Sequence, residues 1–350
     1  MPITLLDEIA LETDTLRKGI LMSLAETSAV NGRIPFESVG ALQTSVTYLS
    51  GIPTVPLRHI NETPASVSAT LDQRTEVLHI LDTDIDIDPV LLNNKNQVQP
   101  VDVMQTKAVM ASIGYRQTGL MVNGDPASDL REPVGIKVRL RDNSLFANMT
   151  VNATANTVEA DFTPSATDAE RIIVLNKLDE LMYLLEDKVS FLLTSRQMVM
   201  AFWGALRAAK LLDTTKDQFD RTITMYRGVP LLDAGFNVAA ALTASPDTAG
   251  NDTNQVIGND ADDYSSGNDP GTGNGSNAYT DCTTIYAVRI GSEHCIGLQQ
   301  EALRVKPYGE TPDPPHYFRT NIRWVFNPLV AFQPRALARL CGVASTTTPA

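Results

Sequence analysis

Residues 99–125 read QPVDVMQTKAVMASIGYRQTGLMVNGD, and they predict one long helix that ends in a turn. Pro100 suits the first helical position, because its missing N–H has no helical partner there. Apolar side chains recur at three-, four- and five-residue steps, close to one helical face: Val101, Met104, Ala108, Ala111, Tyr115 and Leu120. Residues 123–126, NGDP, supply the turn chemistry that stops the helix. Taken alone, the stretch favours a core helix of an ordinary enzyme, and the neighbouring segments change that interpretation.

The overall composition excludes several classes of protein. The chain has 350 residues, of which 43% are hydrophobic and 6% aromatic, so it can bury a sizeable and mainly aliphatic core. The formal net charge of −13 argues against a nucleic-acid-binding surface and a polybasic membrane contact. The acidic start lacks the positive flank of a signal peptide, and three cysteines without a CxxC pair predict no disulfides. We therefore expect a protein made and kept in a cytoplasm, or released by a route other than secretion.

The first 66 residues are expected to extend away from a core. Residues 1–30 have partial helical periodicity and are typical of a terminal arm that docks on another surface. Residues 34–65 hold β-branched and aromatic residues at 46–49 and apolar residues at 52–57, which predicts a two-stranded ribbon. Pro53 and Pro56 keep this segment out of a central strand. Because the segment has few apolar residues to bury on its own body, we expect a neighbouring subunit to stabilise it; a disordered loop is the alternative.

Two polar segments raise the question of calcium. Asp82, Asp84, Asp86 and Asp88 would share one face of a strand, but the sequence lacks the glycine and glutamate of an EF-hand loop. Residues 244–280 are rich in Gly, Asn, Asp and Ser, which predicts an exposed loop without the repeat of a calcium β-roll. We favour solvation or helix capping for the aspartates, with a calcium-dependent surface or adhesion module as the alternative.

Helices and strands alternate after the long helix, as in a compact mixed domain. The β-branched residues of 134–140 predict a strand, and a capping box at 167–170 opens a helix over 168–187. A buried strand is predicted at 189–194, followed by a helix over 196–211 that Ser195 can cap. Further strands are predicted at 222–226, with a turn at 228–230, at 281–297 and within 301–343.

No arrangement typical of catalysis occurs in the sequence. The four histidines are scattered and form no zinc motif: His59, His79, His294 and His316. There is neither a GxSxG elbow nor a Walker A loop. His294 and Cys295 are adjacent, but neighbours on a strand point to opposite faces, which makes them a poor nucleophile pair. We predict no enzyme activity, no catalytic residue, no metal site and no cofactor.

The order of these elements resembles that of the major capsid protein of tailed bacteriophages, which has the HK97 fold. The helix end LMVNGD at 120–125 resembles the end of that family's spine helix. VSFLLTSRQMVMAFWGAL at 189–206, with MYRGVPLLD at 225–233, resembles its axial domain, and FNPLVAFQPRALARLCGV at 326–343 resembles its terminal strand. The resemblance covers nearly the whole chain.

This resemblance implies an α+β fold with four parts. They are an N-arm at 1–33, an extended E-loop at 34–66, a peripheral domain at 67–128 and 298–330 with its spine helix at about 100–123, and an axial domain at 129–297 and 331–350 that carries the polar loop 244–280.

The implied function is structural. Copies of the chain would form hexamers and pentamers and assemble, in the cytoplasm of a bacterial host, into the icosahedral shell of a virion around double-stranded DNA. An acidic lining would not grip that DNA, because counterion release needs cations on the protein. The implied partners are a portal protein and, because the chain enters the arm at once, a separate scaffolding protein; a decoration protein stays open, and no membrane is implied. The alternative on the same fold is an encapsulin-type compartment around a cargo enzyme.

Contacts between copies are expected at the E-loop. Arg58 and Glu62 would meet charges of the neighbouring peripheral domain, such as Arg319 or Arg323. Some members of the family weld their shells through an isopeptide bond from an E-loop lysine. Residues 34–66 contain no lysine, so we predict no such cross-link.

Overall fold

The computed structural model describes residues 3–12, 15–92, 101–142, 146, 149–152, 168–208, 213–217, 219–236, 256–257, 282–311 and 316–344. Within these residues the helices are α1 Leu5–Leu11, α2 Thr15–Thr27, α3 Pro89–Leu92, α4 Val101–Asn123, α5 Ile136–Asp142, α6 Asp168–Leu184 and α7 Arg196–Ala208. The strands are β1 Ile3–Thr4, β2 Pro35–Ser38, β3 Gln43–Gly51, β4 Thr70–Val77, β5 His79–Ile87, β6 Thr150–Asn152, β7 Phe191–Thr194, β8 Asp213–Lys216, β9 Thr222–Tyr226, β10 Val229–Asp233, β11 Cys282–Val288, β12 Cys295–Glu310, β13 Phe318–Ala331 and β14 Leu337–Ala344.

The described strands form three sheets. A five-stranded sheet has the order β1-β2-β12-β13-β5, and a seven-stranded sheet has the order β6-β14-β11-β7-β10-β9-β8. The third sheet is the antiparallel pair β3-β4. We call this pair, together with residues 52–69 that connect its strands, the ribbon. The largest core joins α1, α2, α4 and the five-stranded sheet to one face of the seven-stranded sheet, and α6 and α7 cover the other face.

Helix α4 confirms the long helix that the sequence predicts, although Pro100 lies outside the described residues. Its last turn is followed by Gly124, whose N–H donates to the carbonyl of Leu120 at 3.1 Å. A Cβ on Gly124 would lie 2.3 Å from the carbonyl oxygen of Pro133. The turn after the helix therefore requires glycine at this position, as the NGD motif indicates.

The N-terminal helices pack on the chain's own core, which corrects the expectation that residues 1–30 dock elsewhere. The side chains of Leu5, Ile20, Leu21 and Leu24 are all buried in the main core. Asn31 fixes the end of this segment, because its Nδ2 donates to the carbonyl of Gly114 on α4 at 3.2 Å. The apolar periodicity correctly predicts one face of a helix, but that face packs on α4 of the same chain.

The ribbon exists, but its second strand is not the one that the sequence suggested. Strand β3 pairs with β4, from Gln43 opposite Val77 to Gly51 opposite Thr70, whereas residues 52–57 form no strand. The two prolines there remove backbone donors. The true partner was missed because β4 is polar and mostly exposed, so it carries no apolar alternation.

The prediction of a strand at 134–140 is wrong, because this segment forms α5. Ile136, Arg139 and Leu140 are buried at helical spacing, and the Arg139 N–H donates to the carbonyl of Gly135 at 3.0 Å. Burial of one helical face outweighs the β-branched residues, whose strand preference is weak and depends on context.

The remaining elements follow the sequence closely where they are described. Strand β7, helix α7 and strand β9 lie as predicted, and the Ser195 hydroxyl caps α7 by accepting from the Met198 N–H at 3.2 Å. The predicted turn at 228–230 is wrong in its bounds: the chain turns at Arg227 and Gly228, whose φ values are 50° and 80°, whereas Val229 and Pro230 already lie in β10. The capping threonine at 167 and the loop 244–280, apart from the buried residues Val256 and Ile257, lie outside the described residues.

Candidate subunit interface

The far end of the ribbon, residues 52–69, exposes apolar side chains that nothing in the described chain covers. Leu57 and Ile60 are 101% and 94% exposed, and Ile52 and Val55 are 84% and 74% exposed. Single exposed apolar residues are ordinary, whereas a cluster on one projecting segment marks a contact surface. The ribbon also has two unpaired strand edges, and an isolated two-stranded sheet is only marginally stable in water.

The near end of the ribbon is anchored by a small apolar cluster. Val46, Tyr48 and Leu78 are buried against Ile296, Leu298 and Val330 of the five-stranded sheet. The backbone continues this attachment, because the Val39 N–H donates to the carbonyl of Gln299 at 2.8 Å. The ribbon is therefore fixed at one end and free at the other.

Four buried polar side chains meet at the same place; we call Tyr48, Glu76, Arg139 and Asn327 the ribbon-base cluster. Arg139 Nη1 and Nη2 donate to the two carboxylate oxygens of Glu76 at 2.7 and 2.8 Å. The Tyr48 hydroxyl donates to Glu76 at 2.9 Å, and Asn327 Nδ2 donates to the carbonyl of Val77 at 3.1 Å. The side chains of Arg139 and Glu76 are only 4% and 7% exposed.

The interaction between Glu76 and Arg139 keeps both side chains charged. Burial by itself would raise the pKa of Glu76, but the hydrogen bonds and charge of Arg139 outweigh it and hold that pKa below its ordinary value. Burial would likewise lower the pKa of Arg139, and Glu76 reverses that effect. Burial and the Glu76 carboxylate raise the pKa of Tyr48, so its hydroxyl stays a donor. A bidentate ion pair of this kind fixes an orientation as well as a distance.

The alternating aspartates of β5 lie opposite cationic and amide side chains of β13. Arg319 donates to both carboxylate oxygens of Asp86 at 2.7 Å, and Arg323 Nη2 donates to Asp82 at 2.7 Å. Asn321 Nδ2 lies between them and contacts Asp82 and Asp84 at 2.6 and 2.7 Å. These exposed pairs support strand pairing and, as surface ion pairs, contribute little to stability.

The fourth aspartate has a different role. Asp88 accepts from the Val90 N–H at 2.8 Å at the start of α3, so it caps a helix. Together with the β5–β13 pairs, this agrees with the solvation and capping roles favoured for the run. Among the described residues, no group of three or more His, Cys, Asp and Glu side chains is arranged to hold a metal ion.

The four charged residues predicted to join copies form two separate groups within one chain. At the ribbon tip, Arg58 Nη1 donates to the backbone carbonyl of Glu62 at 2.8 Å, and the Glu62 carboxylate accepts from the His59 N–H at 2.8 Å. Arg319 and Arg323 lie on β13 beside the aspartates. Their contact across copies stays a prediction.

The pair His294 and Cys295 cannot act as a nucleophile and base. The Cys295 thiol is fully buried and donates to the carbonyl of Ala336 at 3.6 Å. Burial raises the pKa of this thiol, so it stays protonated.

No helix in the described part of the chain is long and apolar enough to cross a membrane.

Sequence reasoning missed the ribbon-base cluster entirely. Its members come from the ribbon, from α5 and from β13, and they are spread over 280 positions of the chain from Tyr48 to Asn327. None of the four stands out locally, because Glu76 lies in a polar strand and Arg139 in a segment with the composition of a strand.

Comparison with solved structures shows which architecture this is. The holo-SrpI encapsulin complex from Synechococcus elongatus PCC 7942 matches with a TM-score of 0.55 and 14% identity, over 90% of this chain and 87% of that chain. The capsid of a native GTA particle matches with a TM-score of 0.52 and 13% identity, over 88% of both chains. Microbacterium phage Oxtober96 gives a TM-score of 0.52 and 14% identity, over 89% of this chain and 90% of that one.

The chain has the HK97 capsid fold. The predicted α+β class is thereby confirmed. No protein-family model matches the sequence, and a search of curated proteins finds no match. At 13–14% identity the likeness concerns architecture, so the role of this HK97-fold chain has to be argued from its own surfaces.

Proposed function

We propose that this protein is a structural shell protein whose copies assemble, as hexamers and pentamers, into an icosahedral shell, and that the shell is the capsid of a tailed phage around double-stranded DNA. The observation that carries the proposal is the ribbon: an HK97-fold body carries an exposed apolar segment that none of the described residues covers. Strand β3 alone extends about 26 Å from Gln43 to Gly51 at about 3.3 Å per residue, and the exposed residues 52–69 lie beyond its end, where an adjacent copy can contact them.

The parts of the fold receive roles on this proposal. Helix α4 is the spine helix. The E-loop comprises residues 34–42 and the ribbon, so its C-terminal boundary moves from residue 66 to residue 77 to include β4. The N-arm at 1–33 packs partly on its own subunit. Helix α4 and most of β5, β12 and β13 belong to the peripheral domain, with 67–128 reduced by the β4 residues and 298–330 retained, whereas β1 and β2 of the same sheet come from the N-arm and the E-loop. The seven-stranded sheet belongs to the axial domain, 129–297 and 331–350, with the loop 244–280.

The net charge of the chain supports double-stranded DNA as the content of the shell. A chain with a net charge of −13 has no surplus of cations with which to hold DNA, so a packaged genome can move in and out. Portal and scaffolding proteins follow as partners, and the assembled virion is the place of action. A structural role also accords with a fold that capsids and an encapsulin share.

An encapsulin-type compartment is the second candidate, because an encapsulin complex shares the fold over most of both chains. The content of purified particles separates the two. Particles from infected or induced cells should hold nuclease-protected double-stranded DNA of uniform length if the shell is a capsid. A stoichiometric cargo protein without such DNA, found by mass spectrometry of the same particles, would instead support the compartment.

A further inference from the structure

We infer that the ribbon-base cluster sets the direction in which the ribbon leaves the body, with Glu76 and Arg139 as the positioning residues. The meaning of this direction for a shell rests on the proposed function, whereas the positioning itself is a property of the single chain.

The Glu76 carboxylate joins four elements, β3, β4, α5 and β13. Glu76 lies on the ribbon strand β4, and Tyr48 on its partner strand β3 donates to it. Arg139 on α5 donates two hydrogen bonds to the same carboxylate, and its Nε also donates to the carbonyl of Val134 at 3.1 Å. Asn327 on β13 reaches both Glu76, at 3.4 Å, and the neighbouring Val77 carbonyl.

The apolar contacts beside the cluster cannot supply the same control. Hydrophobic burial is non-directional, so the small group around Val46 and Leu78 holds the ribbon on the sheet without fixing its angle. The paired hydrogen bonds between Arg139 and Glu76 lie in one plane and restrict rotation. A buried ion pair is weak evidence for stability, because apolar side chains of similar volume usually replace it without loss. Replacing Glu76 and Arg139 by apolar side chains should therefore remove the fixed orientation of the ribbon.

A small change at the base is amplified at the tip. Strand β3 extends about 16 Å past Val46 at about 3.3 Å per residue, and residues 52–69 lie beyond its end. A swing of about 10° at the base would therefore displace the end of β3 by about 3 Å and the tip by more, which is comparable with the distance over which two side chains are in contact. If the tip contacts another copy, the cluster decides whether it reaches the correct place.

The test compares ribbon orientation with stability. The triple variant Tyr48→Phe/Glu76→Leu/Arg139→Met removes three of the four polar side chains of the cluster and leaves no buried charge alone, while Asn327 keeps its bond to the Val77 carbonyl. Spin labels on Thr54→Cys at the ribbon tip and Ser292→Cys on the body, in a Cys282→Ser background, report their distance by double electron–electron resonance. Labelled protein is diluted into unlabelled protein so that distances within one chain dominate. Asp82→Asn/Arg323→Gln, which removes an exposed pair of the same type outside the junction, is the matched control.

We expect the triple variant to melt within a few degrees of the parent and to broaden the distance distribution at least about twofold, while the control keeps the parent width. A triple variant with the parent width would overturn the inference. If the triple variant does not fold, Arg139→Lys replaces it, because lysine keeps the charge but cannot form the two parallel bonds; broadening then supports the inference, and an unchanged width overturns it. Because the distance is read within one chain, a failure of the protein to form shells would count against the proposed function and not against the cluster.

Discussion

Gly114 on α4 faces Thr27 on α2 so closely that no side chain fits between them. A Cβ on Gly114 would lie 2.9 Å from the Cβ of Thr27 and 3.2 Å from Nδ2 of Asn31. The same glycine offers its carbonyl to Asn31 and to the Thr118 hydroxyl, each at 3.2 Å. A residue that weakens the isolated helix is thus the point at which the N-terminal segment is held against the longest helix described.

We predict that Gly114→Ala lowers the free energy of unfolding by about 1–3 kcal/mol through overpacking, although alanine is intrinsically the better helix former by about 1 kcal/mol. Gly119→Ala is the matched control on the same helix, because its Cβ would meet nothing within 4 Å. That variant should gain up to about 1 kcal/mol. Urea denaturation of both variants measures the difference, and equal gains for the two would contradict the close contact between α2 and α4.

The buried ion pair of the ribbon base should show in the pH dependence of stability. Glu76→Gln leaves Arg139 charged and buried without its anion, so we expect a loss on the order of 3 kcal/mol at neutral pH. The pKa of Glu76 is lower in the folded state than its ordinary value of 4.5. The unfolded state therefore takes up the proton first as the pH falls.

The difference between parent and Glu76→Gln should accordingly be constant above about pH 4.5 and shrink only below it, as the pH approaches the folded pKa. Urea denaturation over a series from neutral to acidic pH measures it. A difference that is already lost well above this value would show that the carboxyl is not held in its ionised form.

The exposed apolar residues of the ribbon tip should matter for assembly and not for folding. In Leu57→Ser/Ile60→Ser the unassembled chain should keep its stability within about 0.5 kcal/mol, because exposed positions contribute little. Each side chain buried between copies contributes about 1.5–3 kcal/mol, and this term is lost in every copy, so the variant should not assemble. Sedimentation velocity measures the loss.

The control for the tip is Leu130→Ser/Tyr183→Ser, which removes two side chains that are 89% and 74% exposed outside the ribbon. It should assemble as the parent does. If both double variants assemble normally, the tip is not a subunit contact.

Charge at the tip gives a separate prediction. Arg58 contacts only a backbone carbonyl among the described residues, and the carboxylates beside Arg319 and Arg323 on another copy are suitable partners for it. Arg58→Glu should reduce the yield of assembled particles several-fold, with the greatest effect at low salt. Lys216→Glu, an exposed reversal on β8, serves as its control. Full assembly of Arg58→Glu would remove this contact from the interface.

Local signals in the sequence predicted the elements that local interactions form. Helix α4 with its glycine turn, the cap of α7 by Ser195 and strand β9 each depend on residues within one short segment. The pattern therefore fixed both their type and their bounds to within a few residues.

The elements that failed depend on distant partners. Residues 134–140 have the composition of a strand, and only the burial of Arg139 against Glu76, 63 positions away, and the packing of Leu140 explain why they form a helix. Strand β4 escapes prediction because its polar side chains acquire their roles only beside β3 and, for Glu76, beside α5 and β13. The ribbon-base cluster, the most specific feature of the candidate interface, is invisible in one sequence because none of its contacts is local.

Electron microscopy of the purified protein, produced with the genes that neighbour its own, tests the central proposal most directly. We predict closed icosahedral shells, or rings of five and six copies, that disappear in the Leu57→Ser/Ile60→Ser variant and persist in Leu130→Ser/Tyr183→Ser. A protein that stays a folded monomer at every concentration and salt condition, with and without those neighbouring genes, would contradict it.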